Sequence, residues 1–162
     1  SNNNTSNNAV VKMIRNMENR KVTVVFHCQD TMDDDVDFAF DDGDDGDDEP
    51  SPAIKFTLTV SRAGKTMVLS CLSEEARAVV KSVAVTMEDV ETIHSTGRIS
   101  DQLYQGPEFT ELEGDVQDAF HSFVEEDCGI DTDVAAFIAM YVDYKEQMQY
   151  VRWMRQVQSI LQ

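Results

Sequence analysis

The sequence predicts an α+β fold, an antiparallel sheet with helices gathered on one side or end. Two observations predict it. Through the first half of the 162 residues, apolar side chains recur with period two in short runs separated by turns. From Glu111 onward the period becomes helical, and residues 131–162 contain neither Gly nor Pro. The length suits one domain, read as residues 9–162 behind a polar, disordered tail at 1–8. The chain opens SNNNTSNN with no Met, which reads as a processed or trimmed form.

Residues 9–15 and 21–28 read as two strands. In the second, Val22, Val24, Phe26 and Cys28 share one face, and residues 16–20 give a turn of hairpin length. Residues 53–62 are the cleanest strand: Ile54, Phe56, Leu58 and Val60 point to the core, and Lys55, Thr57, Thr59 and Ser61 point away. Ala63-Gly64 turns the chain into a partner strand at 65–71, with Met67, Leu69 and Cys71 inward. Residues 73–81 fit either a helical turn or a loop. Val83, Val85 and Met87 resume the alternation as a further strand, which could run to Ile93. A short strand at 102–105 is weakly signalled.

Leu112, Val116, Phe120 and Phe123 form a helical stripe interrupted by Gly114 and closed by Gly129 as a C-cap. Asp131 or Thr132 can cap the final helix, along which Val134, Phe137, Ile138, Tyr141, Lys145, Met148, Val151 and Arg155 lie on one side. Thirty residues of helix span roughly 45 Å, more than this domain needs for its own core. Tyr144, Met148, Val151 and Trp153 are therefore candidate contacts with a second copy of the chain, and Tyr150, Val157, Ile160 and Leu161 add to that surface.

The formal net charge is −18, from 31 acidic and 13 basic residues, with 41% of the chain hydrophobic. Such a chain repels nucleic acid and anionic membrane and attracts Lys/Arg-rich proteins or cations. No stretch is apolar for the ~18 residues a membrane span needs. Residues 30–49 contain twelve acids and no Lys or Arg: Asp30, Asp33, Asp34, Asp35, Asp37, Asp41, Asp42, Asp44, Asp45, Asp47, Asp48 and Glu49. That run supplies −12 of the −18, leaving −6 for the other 142 residues. With Pro50 and Pro52 closing it, residues 30–52 read as a mobile loop presenting acids to a partner.

A calcium loop needs acids at alternate positions, Gly at the sixth, Glu at the twelfth and flanking helices. Asp41-Asp42-Gly43-Asp44-Asp45-Gly46 has the wrong spacing and no flanking helices, which leaves a low-affinity calcium or cation buffer as the alternative use of the loop. Cys28 and Cys71 fall on apolar phases and Cys128 at a helix end, so all three read as buried thiols. His121 and Cys128 can share a helix face, but nothing completes a four-ligand zinc set. No nucleophile elbow, zinc-protease or phosphate-loop motif occurs, so the reading is a binding protein with no catalytic residue, metal or cofactor.

The run Tyr104-Gln105-Gly106-Pro107-Glu108-Phe109, followed by Leu112, Gln117, Phe120, Phe123 and Gly129-Ile130, resembles the mitochondrial glycoprotein family of acidic matrix proteins. Lys145-Glu146, Tyr150, Trp153 and Ile160 extend the likeness, while Cys128 and Met154 stand where that family usually has Arg and Leu. The resemblance implies a strongly twisted antiparallel sheet of about seven strands with long C-terminal helices beside it, assembled as a doughnut-like homotrimer. It also implies a non-enzymatic protein of the mitochondrial matrix. Its partners would be basic RNA-binding or ribosomal proteins, in the service of RNA processing, editing or translation.

Overall fold

Alternation of period two over five segments dictates strands, and five strands form. In this computed structural model, which describes residues 9–31 and 53–162, they are β1 (Val10–Asn16), β2 (Lys21–Thr31), β3 (Ile54–Arg62), β4 (Lys65–Glu74) and β5 (Arg77–Thr86). Each pairs antiparallel with its sequence neighbour, giving one sheet in the order β1-β2-β3-β4-β5. Among the described residues the sheet thus has five strands, against the seven or so that the resemblance implies. Short helix α1 (Glu91–Thr96) follows β5. A 3-10 turn (Phe109–Glu111), α2 (Gly114–Ser122), a π-helical turn (Phe123–Asp127) and α3 (Thr132–Leu161) complete the chain.

The helical layer seals one face of the sheet. Val22, Val24 and Phe26 of β2, Ile54, Phe56, Leu58 and Val60 of β3, and Leu69 and Cys71 of β4 pack against Phe109, Val124, Cys128, Ile130, Ile138 and Val142. Phe109 meets Phe120 edge-on at 5.8 Å between centroids, and Phe26 meets Tyr141 at 6.3 Å. The opposite face, expected to be wet, is also closed. Ile93 of α1 packs there with Val68 and Ala84, flanked by Val90, Ile99 and Leu103. Thr57 and Thr59 are consequently buried, not solvent-facing as alternation suggests. They tolerate this because both hydroxyls are satisfied: Thr57 Oγ1 donates to the Gly97 carbonyl (3.3 Å), and Thr59 Oγ1 lies 2.8 Å from His94 Nε2.

Other departures from the sequence reading have local causes. Strand β2 runs past Cys28 to Thr31, because its register with β3 slips between Phe26 and Thr31; Asp30 therefore belongs to a strand and not to a loop. Residues 73–81 form neither helix nor loop: they end β4, turn at Glu75-Ala76 and begin β5. That two-residue turn has φ of 48° and 58°, values usually supplied by Asn-Gly, so its sequence carries no turn signal. A bulge leaves Lys81 without a cross-strand partner, since Ser70 faces Ser82 while Cys71 faces Val80. Beyond it β5 ends at Thr86, Val85 and Met87 are exposed, and Ile93 is the buried anchor of α1.

Residues 102–105 turn over the sheet without joining it as a strand, held by Ser82 Oγ donating to Gln105 Oε1 at 3.0 Å. Next to them Gly106 (φ 75°) lies so close to β5 that a Cβ would sit 2.7 Å from the Val83 carbonyl oxygen.

Gly114 begins α2 and does not interrupt it. The π-helical turn is closed by Cys128 N donating to Phe123 O at 2.9 Å, and Gly129 (φ 77°) then reverses the chain. Asp131 caps α3 by accepting from Val134 N at 3.0 Å. The inward stripe is Ala135, Ile138 and Val142, with Val134 and Tyr141 beside it, while Phe137, Met148, Val151 and Arg155 are exposed. Small and branched residues win the inner positions because α3 sits close on β4, where Ser73 Oγ donates to the Ala135 carbonyl (2.8 Å).

Two outcomes follow for stability. Replacing Glu75-Ala76 by Asn-Gly removes the left-handed strain of two ordinary side chains, and should raise unfolding stability by about 1 kcal/mol in denaturant titration. His94 is held below its ordinary range, first by burial and then by Lys12 and Lys21, with Glu91 and Asp89 opposing. A group depressed in the fold stabilises it above its unfolded pKa near 6.5 and loses that contribution as pH falls. Stability measured from pH 7 down to pH 5 should therefore decline, and the decline should be shallower in His94→Asn.

Candidate docking surfaces

Charge distribution is the first feature the fold organises. All 13 basic residues lie among the described residues, together with 20 of the 31 acids. Between Arg98 and Lys145 there is no Lys or Arg, but there are twelve acids. Ten of them, from Glu108 to Asp133, are exposed on the layer built by the 3-10 turn, α2, the π-helical turn and the start of α3. Residues 99–144 thus carry −12, as much as residues 30–49, and the remaining residues sum to +6. The acid excess is therefore not concentrated in one run. The missed signal was countable: 46 consecutive residues without a cation.

Of the acids named from the sequence, Asp30 is the penultimate residue of β2. The other eleven, Asp33 to Glu49, lie outside the described residues. What the fold does gather is a second acidic site, a cleft of about 580 Å³ between the β4–β5 turn and the helical layer. Glu74 and Glu75 approach from the turn, Asp118 from α2, Glu125 from the π-helical turn and Asp131 from the cap of α3; Arg77 is the one Lys or Arg lining it. His121 is pinned in the wall, its Nε2 accepting from Val80 N (3.3 Å) and its ring edge-on to Phe109 (5.5 Å). Five carboxylates from four segments, open to solvent, suit the docking of cationic side chains and lack any nucleophile–base pair.

The second feature is α3. Val142 is its last buried residue, so the 19 residues from 143 to 161, roughly 28 Å of helix, extend with no fully buried side chain. The four candidate contacts are all exposed: Tyr144 57%, Met148 52%, Val151 42% and Trp153 57%. The helix brings only three of them together. Tyr144, Met148 and Val151 follow i, i+4, i+7 spacing, whereas Trp153 is about 180° away from Tyr144 at ~100° per residue. Trp153 instead stacks on Tyr150 (6.1 Å, 25°).

The three cysteines are free and buried. Burial pushes every thiol up: Cys28 with help from Glu146, Cys71 far up with help from Cys128, and Cys128 up to about 11. Among the described residues no group of three or more His, Cys, Asp or Glu is placed to hold a metal ion, and no helix is long and apolar enough to cross a membrane.

Comparison with known proteins accords with this geometry. The sequence model of the mitochondrial glycoprotein family matches residues 2–161. The mitochondrial acidic protein mam33 of Schizosaccharomyces pombe is 40% identical over 58 residues, which are 36% of this chain and only 21% of that protein. Among solved structures, a hypothetical Leishmania major protein described as a sequence homologue of human p32 superposes with a TM-score of 0.72 at 16% identity. It covers 96% of this chain and 78% of its own. The Trypanosoma brucei p22 protein gives 0.66 at 19% identity, covering 93% and 75%. At such identities the two structures establish the shared fold.

Thiolate, not thiol, is the reactive form, so burial with raised pKa predicts inertness. None of the three cysteines should react with a thiol reagent at pH 8 in the folded protein, and all three should react after denaturation. A thiol raised in the fold stabilises it below the unfolded pKa of 9.0 and loses that contribution as pH rises through the folded value, so stability should fall between pH 9 and about 11.

Proposed function

The chain belongs to the mitochondrial glycoprotein family, and from that premise we propose that it is a non-catalytic acidic adaptor of the mitochondrial matrix. In this reading it binds basic RNA-binding or ribosomal proteins and, through them, supports mitochondrial RNA processing, editing or translation. It contacts RNA indirectly, by way of the cationic partner. The mitochondrial setting draws on the family and on the fission-yeast relative, whose name records it as a mitochondrial acidic protein.

The observation that carries the reading is the segregation of charge. Two stretches, 30–49 and 99–144, hold 24 of the 31 acids with no Lys or Arg among them. Acids spread evenly among cations would cancel beyond a Debye length of ~8 Å; acids gathered in blocks present a field that steers a Lys/Arg-rich segment and raises its on-rate. Individual exposed pairs contribute little, about 0 to 1 kcal/mol, so affinity has to come from many at once. Self-association supplies the multiplicity: the exposed Tyr144, Met148 and Val151 face is a surface for a second copy, and a homotrimer would present each acidic block three times.

Calorimetric titration of the full chain with an Arg-rich peptide tests the mechanism. Affinity should fall at least about tenfold between roughly 0.05 and 0.5 M salt. Deleting residues 33–49 should weaken binding, and the triple variant Glu125→Gln, Glu126→Gln, Asp127→Asn should weaken it further, by roughly threefold to a hundred-and-fiftyfold at the surface-pair level of ~0.2 to 1 kcal/mol for each lost pair. Binding indifferent to salt and to both changes would overturn the reading.

A further inference from the structure

One site runs against the charge of the molecule. At the end of the sheet where the β1–β2 and β3–β4 turns lie, the strands project past the helical layer and leave an open shelf of about 390 Å³. Its floor is apolar: Val60 and Met67 belong to the core face, and Val85 beside them is 61% exposed because no helix reaches it. Phe123 and Asp127 of the π-helical turn form one wall. The rim is cationic, with Arg20 from the β1–β2 turn, Arg62 from the end of β3 and Lys65 from the start of β4. Arg20 leans over Phe123, its guanidinium carbon 5.7 Å from the ring centroid, and its Nε is buried with no hydrogen-bond partner.

We propose that this shelf binds a small phosphate monoester with an apolar body. Three cations against the single carboxylate of Asp127 leave a local charge of +2 in a chain whose total is −18. A phosphate monoester carries about −1.5 to −2 at pH 7 and matches that excess, whereas a monocarboxylate meets half of it. Two guanidinium forks can donate to phosphate oxygens in pairs, with a lysine as a point charge beside them. The exposed apolar floor gives the ligand's body a place that inorganic phosphate cannot use, and the volume is within the usual range for small-ligand sites, ~300–1,000 Å³. The distant acids do not forbid it, since their field is screened beyond ~8 Å at physiological ionic strength. The inference stands apart from the adaptor reading, because its anion-binding groups are Arg20, Arg62 and Lys65, and the one acid it shares with the acidic stretches, Asp127, opposes an anion.

Titrating the full chain with phenyl phosphate, inorganic phosphate and benzoate, followed by calorimetry and by NMR of the Val60, Met67 and Val85 methyls, tests it. Phenyl phosphate should shift those methyls saturably and bind about twofold to fivefold more tightly than benzoate, following a deficit of up to one charge. It should also bind more tightly than inorganic phosphate. R62E/K65E should lose binding by at least tenfold with an unchanged thermal midpoint, both side chains being exposed, while R62K/K65R should retain it. Equal affinity for benzoate refutes the phosphate preference, and equal affinity for inorganic phosphate refutes the role of the floor. Absence of a saturable shift, or binding unaltered in R62E/K65E, refutes the site.

Discussion

Strand β3 is buried on both faces, and the rest of the chain is arranged to keep it so. From Ile54 to Val60 only Lys55 reaches solvent. One side of that strand requires the apolar residues of the helical layer, and the other requires α1 with polar partners for Thr57 and Thr59. A central strand with hydroxyls on one face can be covered only by a segment that brings hydrogen-bond partners, and Gly97 and His94 bring them. The short helix and the turn after it are therefore structural requirements of β3, although α1 has only six residues and a single buried side chain.

That constraint also sorts the charge. The strands carry most of the cations, since an antiparallel meander exposes its turns and the outer positions of its edge strands. Every charged side chain that the helical layer exposes along α2 and the π-helical turn is an acid. Sheet and helices thus differ in sign as well as in geometry. At the cationic shelf the sheet projects beyond the helices and at the acidic cleft it parts from them, and the prevailing sign of each is that of the charged side chains bordering it.

Much of this was legible in the residues, and what was not has identifiable causes. The hairpins around residues 16–20 and Ala63-Gly64, the cap at Asp131, the reversal at Gly129 and the length of α3 follow from turn chemistry and periodicity, which are local. The β4–β5 turn was hidden because Glu75-Ala76 uses left-handed backbone without the residues that advertise it. The phase of β5 was hidden by the bulge at Lys81, which no single strand records in its own sequence. Burial of Thr57 and Thr59 depends on a helix more than thirty residues downstream, and alternation within one strand cannot report it. On the functional side, the dense run at 30–49 drew attention from the sparser stretch at 99–144, whose charge is the same but spread over more than twice the length.

The overhang of α3 bears on how these surfaces are used. A helix that buried its full length against its own sheet would end near Val142; this one continues for another five turns with apolar side chains on more than one face. Tyr144, Met148 and Val151 form a seam, while Tyr150 and Trp153 stack on the far side, so a single flat partner cannot cover both. Two different neighbours, or one neighbour wrapping the helix, are needed to bury them, and a closed ring of copies provides two neighbours for every chain. Such a ring would fix the acidic layers relative to one another. It would thereby convert weak, exposed carboxylates, each of small effect alone, into a surface whose spacing selects among basic partners.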